Sequence, residues 1–413
     1  MTDVARLLDL QFGLQSSTGD FSSTPGTVSR LLPRSTSGLL PRQRTPVERP
    51  LYSSDGRRYA QVRGVKDLGP IELGMEFRGM SNASGGAVTV QSVMEQARML
   101  DSFFGTAASA ITGAATTVTG GTPGSGTLTV TAGTNIADGD MVCFTTGSSA
   151  PFGLVMREVV SGGTTTTLTF DRAYTGTPTS GATVFRAARW NLSTSTTHHT
   201  HGYFRAEGES WRRDYFGCAP SQMSIDLPDG GLVGFSSSWM PTNWTDVAEA
   251  DPSYSDPTAG QPIVNAAADF RIAGVAFLLK SAKLTASNGM QVRTTSTGTN
   301  GMLGAVAADK TSVMLEGSIY VGDNAASIGE LVDNSGTPDL DSLLGASATV
   351  GAAITTRDIS LAVGGAANAC MYLRIPAADF RGSVQEDGGL TVFRFQAMAT
   401  VPSSGSPFRL GVF

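Results

Sequence analysis

Two Asp-Gly-Gly turns, each set inside a run of alternating residues, constrain this chain more than any other feature. In "SQMSIDLPDGGLVGFSSSW", Met223, Ile225 and Leu227 alternate with polar neighbours, "PDGG" turns the chain, and Val233 and Phe235 alternate on the return. A side-chain period of two gives each strand one apolar and one polar face, and Asp-Gly supplies the positive φ of a tight hairpin. The second turn, in "QEDGGLTVFRFQAMATV", feeds a long strand, and the closing "FRLGVF" is apolar enough to be tied into a sheet. Earlier, in "PIELGMEFRG", Ile71, Leu73, Met75 and Phe77 share one face, while Glu72, Gly74, Glu76 and Arg78 share the other. Further strand-like runs lie at Ala268–Leu279, Ala282–Ala286, Thr311–Val321, Asp358–Val363 and Met371–Ile375.

Composition agrees with many short strands. Of 413 residues, 50 are glycine and only 15% are charged, where about a quarter is usual. A helical bundle needs charged outer faces and is disfavoured. The net charge of −6 gives no general pull toward nucleic acid. Cys143, Cys218 and Cys370 lie far apart in sequence and read as three ordinary thiols. The N-terminal "MTDVARLLDLQFGLQ" has no signal-peptide pattern, and no segment approaches the ~18 uninterrupted apolar residues of a membrane span. The expectation is a protein made in a cytoplasm and soluble until it assembles.

Composition shifts divide the chain into three parts. Residues 1–68 read as an extended basic N-terminal arm: Arg30, Arg34, Arg42, Arg44, Arg49, Arg57, Arg58, Arg63 and Lys66 face only Glu48 and Asp55 between Arg30 and Lys66. Pro33, Pro41, Pro46 and Pro50 block regular helix there. The repeated "LLPR" makes Leu31, Leu32, Arg34, Leu39, Leu40 and Arg42 the candidate contacts with a neighbouring subunit; a disordered tail and a nucleic-acid-binding arm are the other readings. Residues 69–105 and 188–413 form the main β domain. Its one helix is expected in "QSVMEQARMLDSFFG", with Ser92 and Glu95 as a capping box, Gly105 as C-terminal cap, and Val93, Ala97, Leu100 and Phe104 as the packing face. Residues 106–187 turn to Thr, Gly, Ser and Ala and predict a small inserted all-β domain. Its five strands are Thr127–Thr131, Met141–Thr145, Phe152–Val160, Thr166–Asp171 and Ala182–Arg186.

The chemistry-bearing residues crowd into "THHTHGYFRAEGESWRRDYFGCAP". His198, His199 and His201 lack the paired spacing of a zinc site, and on a strand at most two of them share a face. They read as solvent-facing. Cys218 has no group to orient a His base. Glu207, Glu209 and Asp214 could be paired carboxylates for glycoside cleavage, but a solvated loop at a strand end is the simpler reading. No GxSxG, Walker A or GxGxxG pattern occurs in a strand-to-helix setting. Neither an enzyme nor a cofactor is expected.

The stretches "LGPIELGMEFRG", the helix through "MLDSFFG", "RRDYFGCAPSQMSIDLPDGGLVGFSSSW" and "DGGLTVFRFQAM" together resemble the tail tube (major tail) proteins of long, non-contractile-tailed bacteriophages. The resemblance covers about 69–105 and 190–413; the basic arm and an insertion placed after the helix depart from the common pattern. It implies a mainly-β sandwich or barrel of tail-tube type and subunits that form hexameric rings stacked into a tube in the virion. Double-stranded DNA would pass through that tube. The tape measure protein and the tail terminator and tip proteins would be its partners. Glu72, Glu76, Asp226 and Asp229 are the candidate lumen-facing residues, because an acidic or neutral channel holds few phosphates. A capsid or decoration subunit is the alternative within virions, although one short helix fits the common capsid fold poorly. A bacterial surface adhesin would need an export signal.

Overall fold

The computed structural model describes residues 9–15, 24–39, 46–49, 60–63, 69–81, 90–105, 108, 116–131, 136–147, 154–192, 201–208, 211–247, 260–265, 268–294, 302–307, 311–320, 356–366, 368–400 and 405–413. The protein is mainly β. Its first strands are β1 (Asp9–Leu14), β2 (Val28–Arg30), β3 (Ser35–Ser37), a separate hairpin of β4 (Pro46–Arg49) and β5 (Ala60–Arg63), and β6 (Ile71–Glu76). Two helices follow, α1 (Val90–Val93) and α2 (Ala97–Phe104). The insertion holds β7 (Thr116–Thr122), β8 (Thr127–Val130), β9 (Met141–Thr145), β10 (Leu154–Ser161), β11 (Thr167–Phe170) and β12 (Thr183–Arg186). Next come β13 (Ala188–Asn191), β14 (Gly202–Glu207), β15 (Arg212–Leu227), β16 (Gly234–Met240), β17 (Asn243–Val247), β18 (Ala268–Ile272), β19 (Val275–Phe277) and β20 (Leu279–Ser287). The last are a hairpin of β21 (Met290–Thr294) and β22 (Met302–Ala307), then β23 (Ser312–Tyr320), β24 (Arg357–Ala366), β25 (Ala369–Asp387), β26 (Leu390–Ala399) and β27 (Arg409–Val412).

Two long strands join three antiparallel sheets. The C-terminal half of β15 and the C-terminal half of β25 belong to one sheet, in the order β3-β6-β16-β15-β20-β23-β26-β25. The N-terminal half of β25 lies instead in a second sheet, β19-β18-β24-β25-β27-β13. Pro376, which has no N–H to give to a ladder, falls between the two halves. The N-terminal half of β15 pairs in a third sheet, β2-β1-β14-β15-β17. The strand changes sheet where Gly217 takes φ 59° and the register slips between Pro220 and Gln222. Bulges and glycines at such corners let one strand serve two layers.

The first two sheets pack face to face. Ile225, Leu284, Leu315 and Phe395 from the first meet Phe270, Ile272, Leu361 and Leu373 from the second in one core. Phe395 stacks on Phe270 at 5.1 Å and on Phe380 at 5.6 Å between ring centroids. Aromatic pairs at this separation add about 1 kcal/mol each beyond the area they bury.

Several expectations change. The helical segment is broken at Met94–Gln96, so the capping box does not form: α2 is capped by Gln96 without a side-chain bond, and the Glu95 carboxylate accepts the Leu32 N–H instead. Gly105 closes α2 at φ 73°, donating its N–H to Asp101 O. Val93, Ala97, Leu100 and Phe104 are buried, and α2 lies against β1, β13 and β15 with Phe104 stacked on Phe408 at 5.5 Å. The N-terminal stretch is not a free arm in the residues described. β1 runs antiparallel to β14, with Leu10 and Phe12 in the core; Leu31 and Leu39 are also buried in this chain's own core, so neither is available to a neighbour. Leu32 and Arg34 stay exposed, while Leu40 and Arg42 lie outside the described residues. The predicted strand Ala268–Leu279 is a hairpin, turned at Ala273 and Gly274.

The insertion is a closed barrel of six strands, in the order β10-β11-β8-β7-β12-β9. The added strand, β7, carries the sequence TTVTGGT, where Val118 is the only large apolar residue. The barrel has its own core, in which Phe144, Phe170 and Tyr174 contact one another. Its outer face joins the back of the second sheet. Met141, Cys143, Leu154 and Met156 pack on Ala362, Cys370, Tyr372 and Phe413. Charged groups surround this apolar seam. Arg157 reaches Asp269 at 3.2 Å, Arg374 reaches Glu158 at 2.9 Å and Asp358 at 2.8 Å, Arg409 also pairs with Glu158, and Tyr372 Oη donates to Asp171 at 2.9 Å.

Candidate functional site

Alternation along eight strands leaves one face of the first sheet mostly polar, interrupted by the cross-strand pair Met314 and Met398, the latter half exposed. In one cross-strand row stand Ser35, Gly74, Ser236, Ser224, Thr285, Met314, Met398 and Asp379. In the next lie Glu76, Gly234, Asp226, Lys283, Glu316, Gln396 and Arg381. The opposite phase of the same strands, Leu73, Phe235, Ile225, Leu284 and Leu315, fills the core. A one-residue slip in any strand would exchange these faces, so the core fixes the polar surface. Two grooves run over it: one of ≈ 560 Å³ between β20, β23, β26 and β25, and one of ≈ 450 Å³ between β3, β6, β16 and β15.

Charge on this face is largely matched internally. Arg34 and Arg78 pair with Glu76, Lys280 and Arg394 with Asp387, and Arg381 with Asp379. Lys283 stands between Asp226 and Glu316 in the ladder. Hydroxyls occupy most of the remaining positions, with Ser224 and Ser236 bonded at 2.7 Å and Ser281 and Ser318 at 3.2 Å. Among the described residues such a surface offers hydrogen bonds but no row of free cations to hold a polyanion.

Three of the four candidate acidic residues lie on this face. Glu72 is exposed and accepts from Ser37 Oγ at 3.1 Å, and Asp226 is exposed opposite Lys283. Glu76 is half-buried and neutralised by its arginines. Asp229 belongs to the β15–β16 turn at the rim, where Tyr320 Oη donates to it at 3.2 Å. The serine rows and Lys280, Lys283, Arg381 and Arg394 escaped the sequence reading. Their signal was the polar phase of the same alternation that identified the core.

The histidine-rich stretch resolves differently from expectation. His201 is buried rather than solvent-facing, and its carbonyl accepts the Gln15 N–H at 2.9 Å; His198, His199 and Glu209 lie outside the described residues. Glu207 and Asp214 are not on a solvated loop. They are buried in the β14–β15 ladder, where Asp214 pairs with Arg205 and Arg212 at 3.3 Å and Glu207 with Arg212 at 3.6 Å. Burial pushes the Glu207 carboxyl up, and Arg212 and Arg205 offset part of that. Burial also raises the Cys218 thiol, which keeps it a poor nucleophile. No group of three or more His, Cys, Asp or Glu side chains that could hold a metal ion occurs among the described residues. No helix among them is long and apolar enough to cross a membrane.

Fold and surface together define a mainly-β protein: a two-sheet sandwich with an attached barrel and an extended polar sheet face. No protein-family model matches the chain, and no curated protein matches it either.

Proposed function

We propose that this chain is the subunit of a bacteriophage tail tube, a structural virion protein that assembles into stacked rings, by resemblance hexameric, around a channel for double-stranded DNA. The observation that carries the reading is the eight-strand polar face, hydroxyl-rich and with its charges paired. A channel lining must let a polyanion slide, and such a face gives phosphates few fixed partners. The ends of that sheet add support. Beyond a single pairing of Ala378 with Arg357, the stretch of β25 from Asp379 to Asp387 has a neighbour, β26, on one side only among the described residues. At the other end β3 is three residues long and, among the described residues, pairs only with β6. Open edges invite pairing with another copy, and a closed ring satisfies them. In this reading the tape measure protein fills the lumen before DNA does, and the terminator and tip proteins cap the tube.

Negative-stain electron microscopy of the purified full-length protein tests the proposal. Rings or tubes with a central hole are expected. Isolated monomers at high concentration, under conditions where the protein is folded, would refute it.

A further inference from the structure

We infer that Cys143 and Cys370 are a latent disulfide that staples the inserted barrel to the body. Cys143 lies on β9 of the barrel and Cys370 on β25 of the second sheet, more than two hundred residues apart in sequence. Both are fully buried in the same apolar seam, and their thiols hydrogen-bond to each other. Met156 is the cross-strand neighbour of Cys143, and Gly364 is that of Cys370. A Cβ on Gly364 would stand 2.6 Å from Cys370 Cα, so the ladder there accepts only glycine. Cys218 is buried in the main core and takes no part in this seam.

Oxidation needs a thiolate. The hydrogen bond with Cys143 and burial hold the Cys370 thiol well above its usual range, so the closed seam is slow to react. The bond forms when the seam opens, with a low-molecular-weight disulfide as oxidant. One cysteine thiolate attacks a sulfur of oxidised glutathione and releases one glutathione thiolate. The second cysteine then attacks the mixed disulfide and releases the other. The protein gives up two protons and two electrons, and one glutathione disulfide becomes two thiols. Once the seam recloses, the bond is shielded from reductant. The inference is independent of what the assembled protein carries.

The test treats full-length protein with oxidised glutathione, in native buffer and in urea below the main unfolding transition. Alkylation in denaturant and non-reducing peptide mapping by mass spectrometry follow. The expected product is a single Cys143–Cys370 linkage with Cys218 still alkylatable, formed faster as urea opens the seam. The oxidised protein should unfold at a midpoint roughly 5 °C or more above the reduced one, since the closed loop is long. Cys143→Ala and Cys370→Ala should each abolish the linkage, while Cys218→Ala keeps it. Three alkylatable cysteines after exhaustive oxidation overturn the inference. So does a first disulfide that uses Cys218, or glutathione adducts at Cys143 or Cys370 that never close.

Discussion

Glu158→Gln is the sharpest test of how the barrel is held. The Glu158 side chain is 2% exposed and receives Arg374 at 2.9 Å and Arg409, which approach from two different strands of the body. Breaking a buried ion pair costs about 3–5 kcal/mol, because the partner charge is left without compensation. Here Arg374 keeps Asp358 at 2.8 Å, so Arg409 is the group stranded, and the cost falls near the lower end, about 3 kcal/mol. With a urea slope of about 3 kcal/mol per molar, the midpoint of the seam should fall by about 1 M. Urea unfolding followed by tryptophan fluorescence, with limited proteolysis to detect barrel release, reads the effect. A cycle with Arg409→Met should return a coupling of about 1–3 kcal/mol. A Glu158→Gln shift below about 0.5 kcal/mol would show that these contacts do not hold the seam.

The remaining predictions concern the fold, acid and the polar face. Phe12→Ala removes a fully buried ring packed on Phe204 at 4.8 Å and Trp239 at 5.0 Å; calorimetry should show a loss of about 3–5 kcal/mol, where a free arm would show none. Gly260→Ala would place a Cβ 1.7 Å from the Gly79 carbonyl oxygen, and unfolding curves should show a loss of about 3 kcal/mol or more. Burial raises the Asp269 carboxyl, but Arg157 and Arg271 outweigh it and hold it below the usual 3.8. Its stabilisation is therefore complete above the unfolded value and fades as pH falls through the folded one. Below about pH 4 the wild type should lose its advantage over Asp269→Asn in thermal melts. In the proposed tube, Ser236→Arg combined with Glu72→Arg should cost only about 1 kcal/mol, through the lost Ser224–Ser236 hydrogen bond, yet make the assembly retain duplex DNA at low salt in filter binding; equal retention by wild type and variant counts against the lining role.

The alternating strands were legible because each carries its own evidence. Ile71, Leu73 and Met75, or Met223, Ile225 and Leu227, state a face without help from any other segment. β7 was hidden because Thr117, Thr119, Gly120 and Gly121 supply no apolar phase, and its pairing with β8 and β12 is what makes it a strand. β1 was lost for another reason. Leu10 and Phe12 do alternate, but they precede a basic, proline-rich stretch that set the reading for all 68 residues. The helix break at Met94–Gln96 follows tertiary demand: buried Gln96 gives its side-chain N–H to Glu76 O at 2.8 Å, and Glu95 turns to the Leu32 backbone. The seam lay beyond any local reading, since Arg374 and Glu158, or Cys143 and Cys370, meet only through the fold.

The order of layers gives the polar face a direction. Along β24, Ile359, Leu361 and Val363 point into the sandwich core, while Ala362 points the other way onto the barrel. Along β25, Met371, Leu373 and Ile375 face the core, and Cys370 and Tyr372 face the barrel. The sequence of layers is therefore polar face, first sheet, core, second sheet, seam, barrel. The barrel sits on the side opposite the hydroxyl rows, so it cannot cover them. If the polar face lines a channel, the barrel stands on the outside of the tube, where its size does not narrow the bore. Deleting residues 106–187 should then leave tube diameter unchanged inside and reduced outside by cryo-electron microscopy, with a widened or collapsed lumen as the result that contradicts this layering.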